Sequence, residues 1–118
     1  MIFISTITML LLDVIYLTTF RNWYNNQIRS VQGSDVKMKI VPAILVYIVL
    51  VFGLNYFILS EKRPIRDAFL LGLVIYGVFD LTNMAIFDKW NIKSVILDTL
   101  WGGVLFALTT FITYRFSN

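Results

Sequence analysis

Three aspartates, Asp13, Asp80 and Asp98, stand inside long apolar runs of a 118-residue chain. An ionisable group at the centre of a membrane helix costs roughly 2.5–3.5 kcal/mol on insertion scales and usually faces a bundle interior. Asp13 and Asp80 each lie seven residues before the end of their run, or roughly 10 Å at the helical rise of about 1.5 Å per residue. Asn83 and Asp98 are expected nearer that boundary, at roughly 5–6 Å by the same rise. Asp80 with Asn83, Asp98 with Trp101, and Asp13 with Tyr16 are all i,i+3 pairs, so each pair shares one helix face. No Lys or Arg lies at that depth, although Arg21, Lys89 or Lys93 can bend inward. Three carboxylates brought together in low dielectric cannot all stay ionised without a cation. Either some are protonated and hydrogen-bonded, or a metal ion, a proton path or a cationic ligand completes the site. Oxygen donors of this kind suit a divalent cation such as Mg²⁺, Ca²⁺ or Mn²⁺. Plainer roles compete: Asp98 can answer a helix dipole, and Asp80 with Asn83 can be interhelical glue. Asp13, alone in its run, is the hardest to explain by structure.

The elements that must hold these acids are helices. A hydrocarbon core of about 30 Å takes roughly 20 apolar residues, and four stretches meet this, at about 2–20, 41–59, 68–87 and 95–114. They are long and lack β alternation, so helices are favoured over a membrane barrel. Short links of eight and seven residues after the second and third spans imply antiparallel neighbours. The expected fold is all-α, one transmembrane domain built as an up-down-up-down four-helix bundle. Loops 21–40 and 88–94 then share one face, side B, with all three acids in that half of the membrane. The longer first loop has room for an interfacial helix. Trp23, Tyr24 and Trp90 read as headgroup-level anchors. Gly72, Gly77, Gly102 and Gly103 permit close helix approach, and Asn55, near the opposite side A, reads as a separate interhelical hydrogen bond. The first span lacks a basic leader and a small-residue cleavage site, so it is expected to stay in the protein.

Composition fixes the class. The chain is 58% hydrophobic and 14% charged, with mean hydropathy +0.78, against about 45–50% and about 25% for soluble domains. This argues against a water-soluble enzyme and against a disordered chain. Having no Cys and no His, it lacks thiolate and imidazole chemistry altogether. The water-facing parts carry ten Lys and Arg against four acids, which suits anionic lipid headgroups rather than nucleic acid, for which no basic arm is present. Side B holds Arg21, Arg29, Lys37, Lys39, Lys89 and Lys93, and side A holds Lys62, Arg63, Arg66 and Arg115. That balance favours side B as cytoplasmic.

The segment YGVFDLTNMAIFDKWNIKSVILDTLWGGVL, residues 76–105, resembles a family of small predicted membrane proteins, domain of unknown function 2177. The matching positions are Tyr76, Gly77, Asp80, Leu81, Thr82, Asn83, Ala85, Trp90, Asp98, Trp101 and Gly102. The first-span LDVIYL, with Asp13 and Tyr16, is similar to the family's L-D-x-x-W-L. Phe79 stands where the family has an aromatic hydroxyl, and Tyr16 where it has tryptophan. The resemblance implies four helices, treats the three aspartates as a unit, and brings no established activity. It also implies a bacterial inner membrane or the internal membrane of a virus as the setting.

Asp13, Asp80, Asn83 and Asp98 are therefore the candidate polar or cation cluster, with Tyr16, Thr82 and Trp101 supporting it. The leading expectation is a structural or interaction component of a membrane, self-associating or meeting other membrane or capsid proteins. The alternatives are a proton or cation carrier using the acids, and a metal-dependent enzyme acting on lipid. The enzyme ranks last, since no nucleophile or base other than carboxylate stands near the acids.

Overall fold

A computed structural model describes residues 1–34 and 39–117, so the basic residue Lys37 lies outside the described residues. The chain is all-helical: α1 (Ile2–Thr19), α2 (Arg21–Gln32), α3 (Ile40–Leu54) with a π-helical extension (Asn55–Leu59), α4 (Ile65–Ile86) and α5 (Ile92–Phe116). The α1, extended α3, α4 and α5 helices are each long and apolar enough to cross a membrane. α2 is the short helix that the first loop had room for. It is polar and ends on Gly33, whose φ of 79° gives the left-handed C-cap that glycine adopts at no steric cost.

Contacts along the chain show the alternation of direction. Asp13 meets Tyr47 and Ser5 meets Asn55, so α1 and α3 run antiparallel. α5 packs along α4 and against α1. At side A the Tyr114 hydroxyl donates to the carbonyl of Arg63 at 2.7 Å, beside the Arg63–Asp67 ion pair at 3.0 Å. The molecule measures 48 × 24 × 22 Å, its long axis matching a bilayer of about 40–45 Å with headgroups.

Two helices begin before the apolar runs that announced them. α4 starts at Ile65, where the extended backbone of Pro64 forms the N-cap and Asp67 occupies the first turn, an acid favoured by the positive end of the dipole. α5 starts at Ile92, three residues before the expected Val95, because the Asn91 side chain caps it by accepting from the Lys93 amide at 2.7 Å. A run of hydropathy ends at the first charge; a capped helix does not. Asp98 is consequently deeper than its run suggested. Asp13, Asp80 and Asp98 each lie six residues inside the side B end of their helices, about 9 Å by the helical rise.

The close approach expected of the glycines occurs between α4 and α5 at Gly72, Gly102 and Gly103, while Gly77 has room for a methyl group. A Cβ at Gly72 would run into the Gly102 carbonyl, and one at Gly102 into the Tyr76 ring. Towards side A the bundle is filled by an apolar cluster that includes Met9, Leu50, Leu54, Leu59, Leu105 and Phe106. There the Asn55 amide donates to Ser5 Oγ at 2.9 Å, the interhelical bond expected of it.

Candidate functional site

The acids divide by the partners they find. Asp13 is buried and accepts twice, from the Tyr47 hydroxyl of α3 and from Trp101 Nε1 of α5 at 3.0 Å. One carboxylate thus ties three helices. Tyr16, one turn on, stacks on Trp101 with centroids 4.5 Å apart and planes 1° from parallel. The Tyr16 hydroxyl bonds that of Tyr24 on α2, and Tyr24 donates to Asp98 Oδ1 at 3.3 Å. Since Tyr24 has one proton to give, the order is Tyr16 to Tyr24 to Asp98. Burial above all pushes the Tyr24 phenol above its ordinary range. Tyr24 therefore remains a donor at any physiological pH.

Asp80 is treated differently. It is 0% exposed, and neither carboxylate oxygen has a partner in hydrogen-bonding geometry among the described residues. The Asp98 carboxyl and the Thr99 hydroxyl are its immediate polar neighbours. An orphaned buried carboxyl is among the most expensive groups a fold can hold. Asp80 and Asp98 both line a cavity of about 740 Å³ bounded by α1, α2, the α4–α5 connection and the two hairpin helices. Its walls combine Leu17, Ile28 and Phe79 with Arg21, Tyr24 and Trp90. The Trp90 Nε1 is also buried and has no partner among the described residues.

Asn83 and Thr82 do not line this cavity; Asn83 is half-buried and Thr82 exposed. Trp23 is 40% exposed, yet its Nε1 donates to Ser94 Oγ at 2.9 Å. Among the described residues no group of three or more Asp, Glu, His or Cys is arranged to hold a metal ion.

α2 roofs the cavity because Gln27 fastens it. Its Oε1 accepts from the Asn91 amide at 2.9 Å and from Ser94 Oγ at 2.8 Å. Its Nε2 donates to the Lys89 carbonyl at 2.7 Å. Gln27 and Tyr47 escape sequence reasoning. Tyr47 did leave a signal: a phenol seven residues into α3 lies about 10 Å from side B, the depth of Asp13. Gln27 left none, being one polar residue in a polar loop.

Fold and site together define a small integral-membrane helix bundle with carboxylates in its interior. A family of predicted membrane proteins, domain of unknown function 2177, matches residues 1–115, and the chain belongs to it. No curated protein and no solved structure matches the chain.

Proposed function

We propose that this chain is an interaction component of its membrane that works by non-covalent binding, receiving a cationic group at the Asp80–Asp98 pair from side B. The observation that carries the reading is Asp80, fully buried, with both oxygens unpartnered among the described residues and its side chain among those lining the cavity. A carboxylate pair away from water is held together by a shared proton or by a cation, and the cavity supplies the room for a cation. Asp13 is outside this role, since its acceptor capacity goes to Tyr47 and Trp101. Carriage across the membrane has less support, because every residue that lines the cavity lies on side B or in the side B half of its helix. The basic rims are matched to anionic headgroups, and side B is the cytoplasmic face.

Thermal unfolding of the detergent-purified protein, with and without divalent cations, alkali cations and an alkylammonium salt, tests this against Asp80→Asn. A ligand present in excess of its Kd raises stability in proportion to RT ln(1 + [L]/Kd). At least one cation is expected to raise the Tm of the native chain and leave the variant unmoved. No Tm response of the native chain to any of these cations removes the binding role.

A further inference from the structure

The cavity has a second half of opposite character. At about 740 Å³ it has room for roughly two dozen waters at about 30 Å³ each, far more than a bare metal ion fills. It falls in the size range of small-molecule sites, about 300–1,000 Å³. Asp80 and Asp98 form its deep wall. On the part of its wall towards side B stand Arg21, the first residue of α2, and Trp90, in the α4–α5 connection. The Trp90 Nε1–H is a buried donor without an acceptor, and Arg21 makes no ion pair among the described residues. Unpartnered acceptors below and unpartnered donors above call for a ligand carrying both a donor cation and an anion.

Resting on the cation reading of the acid pair, we propose that this cavity is a headgroup slot for a zwitterionic phospholipid bearing a primary ammonium. The ammonium enters against Asp80 and Asp98, and the phosphate is held by Arg21 and Trp90 Nε1. The chains leave past Leu17 and Phe79, which are 39% and 57% exposed on the lipid-facing surface. A primary ammonium has three N–H donors for the carboxylate oxygens, while a trimethylammonium has none. The guanidinium of Arg21 suits the phosphate in fork geometry. A phosphoethanolamine headgroup offers donors to the acids and an acceptor to Arg21 and Trp90, reached once the Asp80 and Trp90 side chains turn their buried polar atoms towards the cavity they line, and a phosphocholine headgroup leaves the acids unbonded.

The test measures binding to the detergent-purified full chain by retained lipid in native mass spectrometry and by Tm shift. The probes are short-chain phosphatidylethanolamine, phosphatidylcholine and phosphatidylglycerol, dodecylamine, and soluble phosphoethanolamine. The variants are Asp80→Asn, Arg21→Gln and Trp90→Phe. Phosphatidylethanolamine is expected to bind about tenfold more tightly than the other two phospholipids, the ratio that one hydrogen bond to a charged group supplies. Arg21→Gln and Trp90→Phe are expected to weaken it by a similar factor while dodecylamine binding, which also reports an intact fold, stays unchanged. Asp80→Asn is expected to lose both ligands. If dodecylamine binds but phosphatidylethanolamine gains nothing over it, or if Arg21→Gln and Trp90→Phe leave that lipid untouched, the zwitterion assignment fails and the cation site stands. Equal binding of phosphatidylcholine overturns the primary-ammonium assignment. Soluble phosphoethanolamine binding as tightly as the lipid overturns the lipid source. If none of the three amine-bearing probes binds, both readings fall.

Discussion

Asp13 and Asp80 sit at the same depth and are put to opposite uses, a contrast that single substitutions can read. The Tyr47 hydroxyl and Trp101 indole both donate to Asp13, so Tyr47→Phe leaves a buried carboxyl short of a donor. A hydrogen bond to a charged group is worth about 1.5–3 kcal/mol, and a loss of that order is expected in reversible unfolding in detergent. Asp13→Asn should also destabilise, because its amide nitrogen would face donors. Asp80→Asn should do the reverse in the absence of ligand. It replaces an orphaned acid by an amide able to donate to Asp98, so its Tm is expected to equal or exceed that of the native chain. A fall of Tm in Asp80→Asn comparable to that in Tyr47→Phe would show that both acids are glue. The sequence made the three acids and their common half of the membrane legible through hydropathy and helical rise. It could not say which acid finds donors. Those donors arrive from residues 34 and 88 positions away, and interhelical register decides the matter.

Between elements, the α4–α5 hairpin depends on a contact with no room for a methyl group. A Cβ at Gly72 would collide with the Gly102 backbone, which cannot step aside as a side chain tip can. Gly72→Ala should therefore push the helices apart and cost about 1–3 kcal/mol or more, as overpacking does. Gly77, one and a half turns along the same helix, would meet only a Thr99 methyl at 3.6 Å. Gly77→Ala is expected to be tolerated and to gain up to about 1 kcal/mol in helix propensity. Equal effects at the two glycines would contradict the hairpin geometry. α2 depends on Gln27, whose three bonds to the α4–α5 connection and Ser94 are side-chain mediated. Gln27→Leu should speed amide exchange across residues 21–32 while leaving α4 and α5 protected, since local opening follows local contacts. The long helices were legible because apolar length is the strongest signal a membrane chain carries. Their starts were less so, because Pro64 and Asn91 set them with backbone and cap geometry that hydropathy does not see. The π-helical turn at Asn55–Leu59 left no mark in the sequence either. There the Asn55 amide takes the Val51 carbonyl as well as Ser5 Oγ, the kind of side-chain intrusion that disturbs a helical ladder.

Across the whole molecule, alternation of four spans requires α2 and the turn after α3 to face opposite compartments. The chain contains no cysteine, so one introduced thiol is the sole target for a maleimide that cannot cross the membrane. Asn26, on α2, and Glu61, between α3 and α4, are both exposed, and neither holds a hydrogen bond described above. In intact cells or sealed vesicles, Asn26→Cys and Glu61→Cys should therefore label from opposite sides. Labelling of both from one side would break the up-down-up-down order, whatever the charge balance. The charges predict more than opposition. Arg21, Arg29, Lys39, Lys89 and Lys93 lie on side B, against Lys62, Arg63, Arg66 and Arg115 on side A, with Lys89 in a short connection and Lys93 in the first turn of α5, close to the span ends where the positive-inside bias counts most. Asn26→Cys is accordingly expected to be shielded in intact cells and to label after permeabilisation, and Glu61→Cys to label at once. The opposite pattern would keep the bundle and invert it, so that the Asp80–Asp98 cavity would open to the outer leaflet and draw its lipid from there. Raising the side A charge, for instance by Ser60→Lys at an exposed position, should then shift part of the population towards that inverted pattern, because the margin between the two faces is narrow.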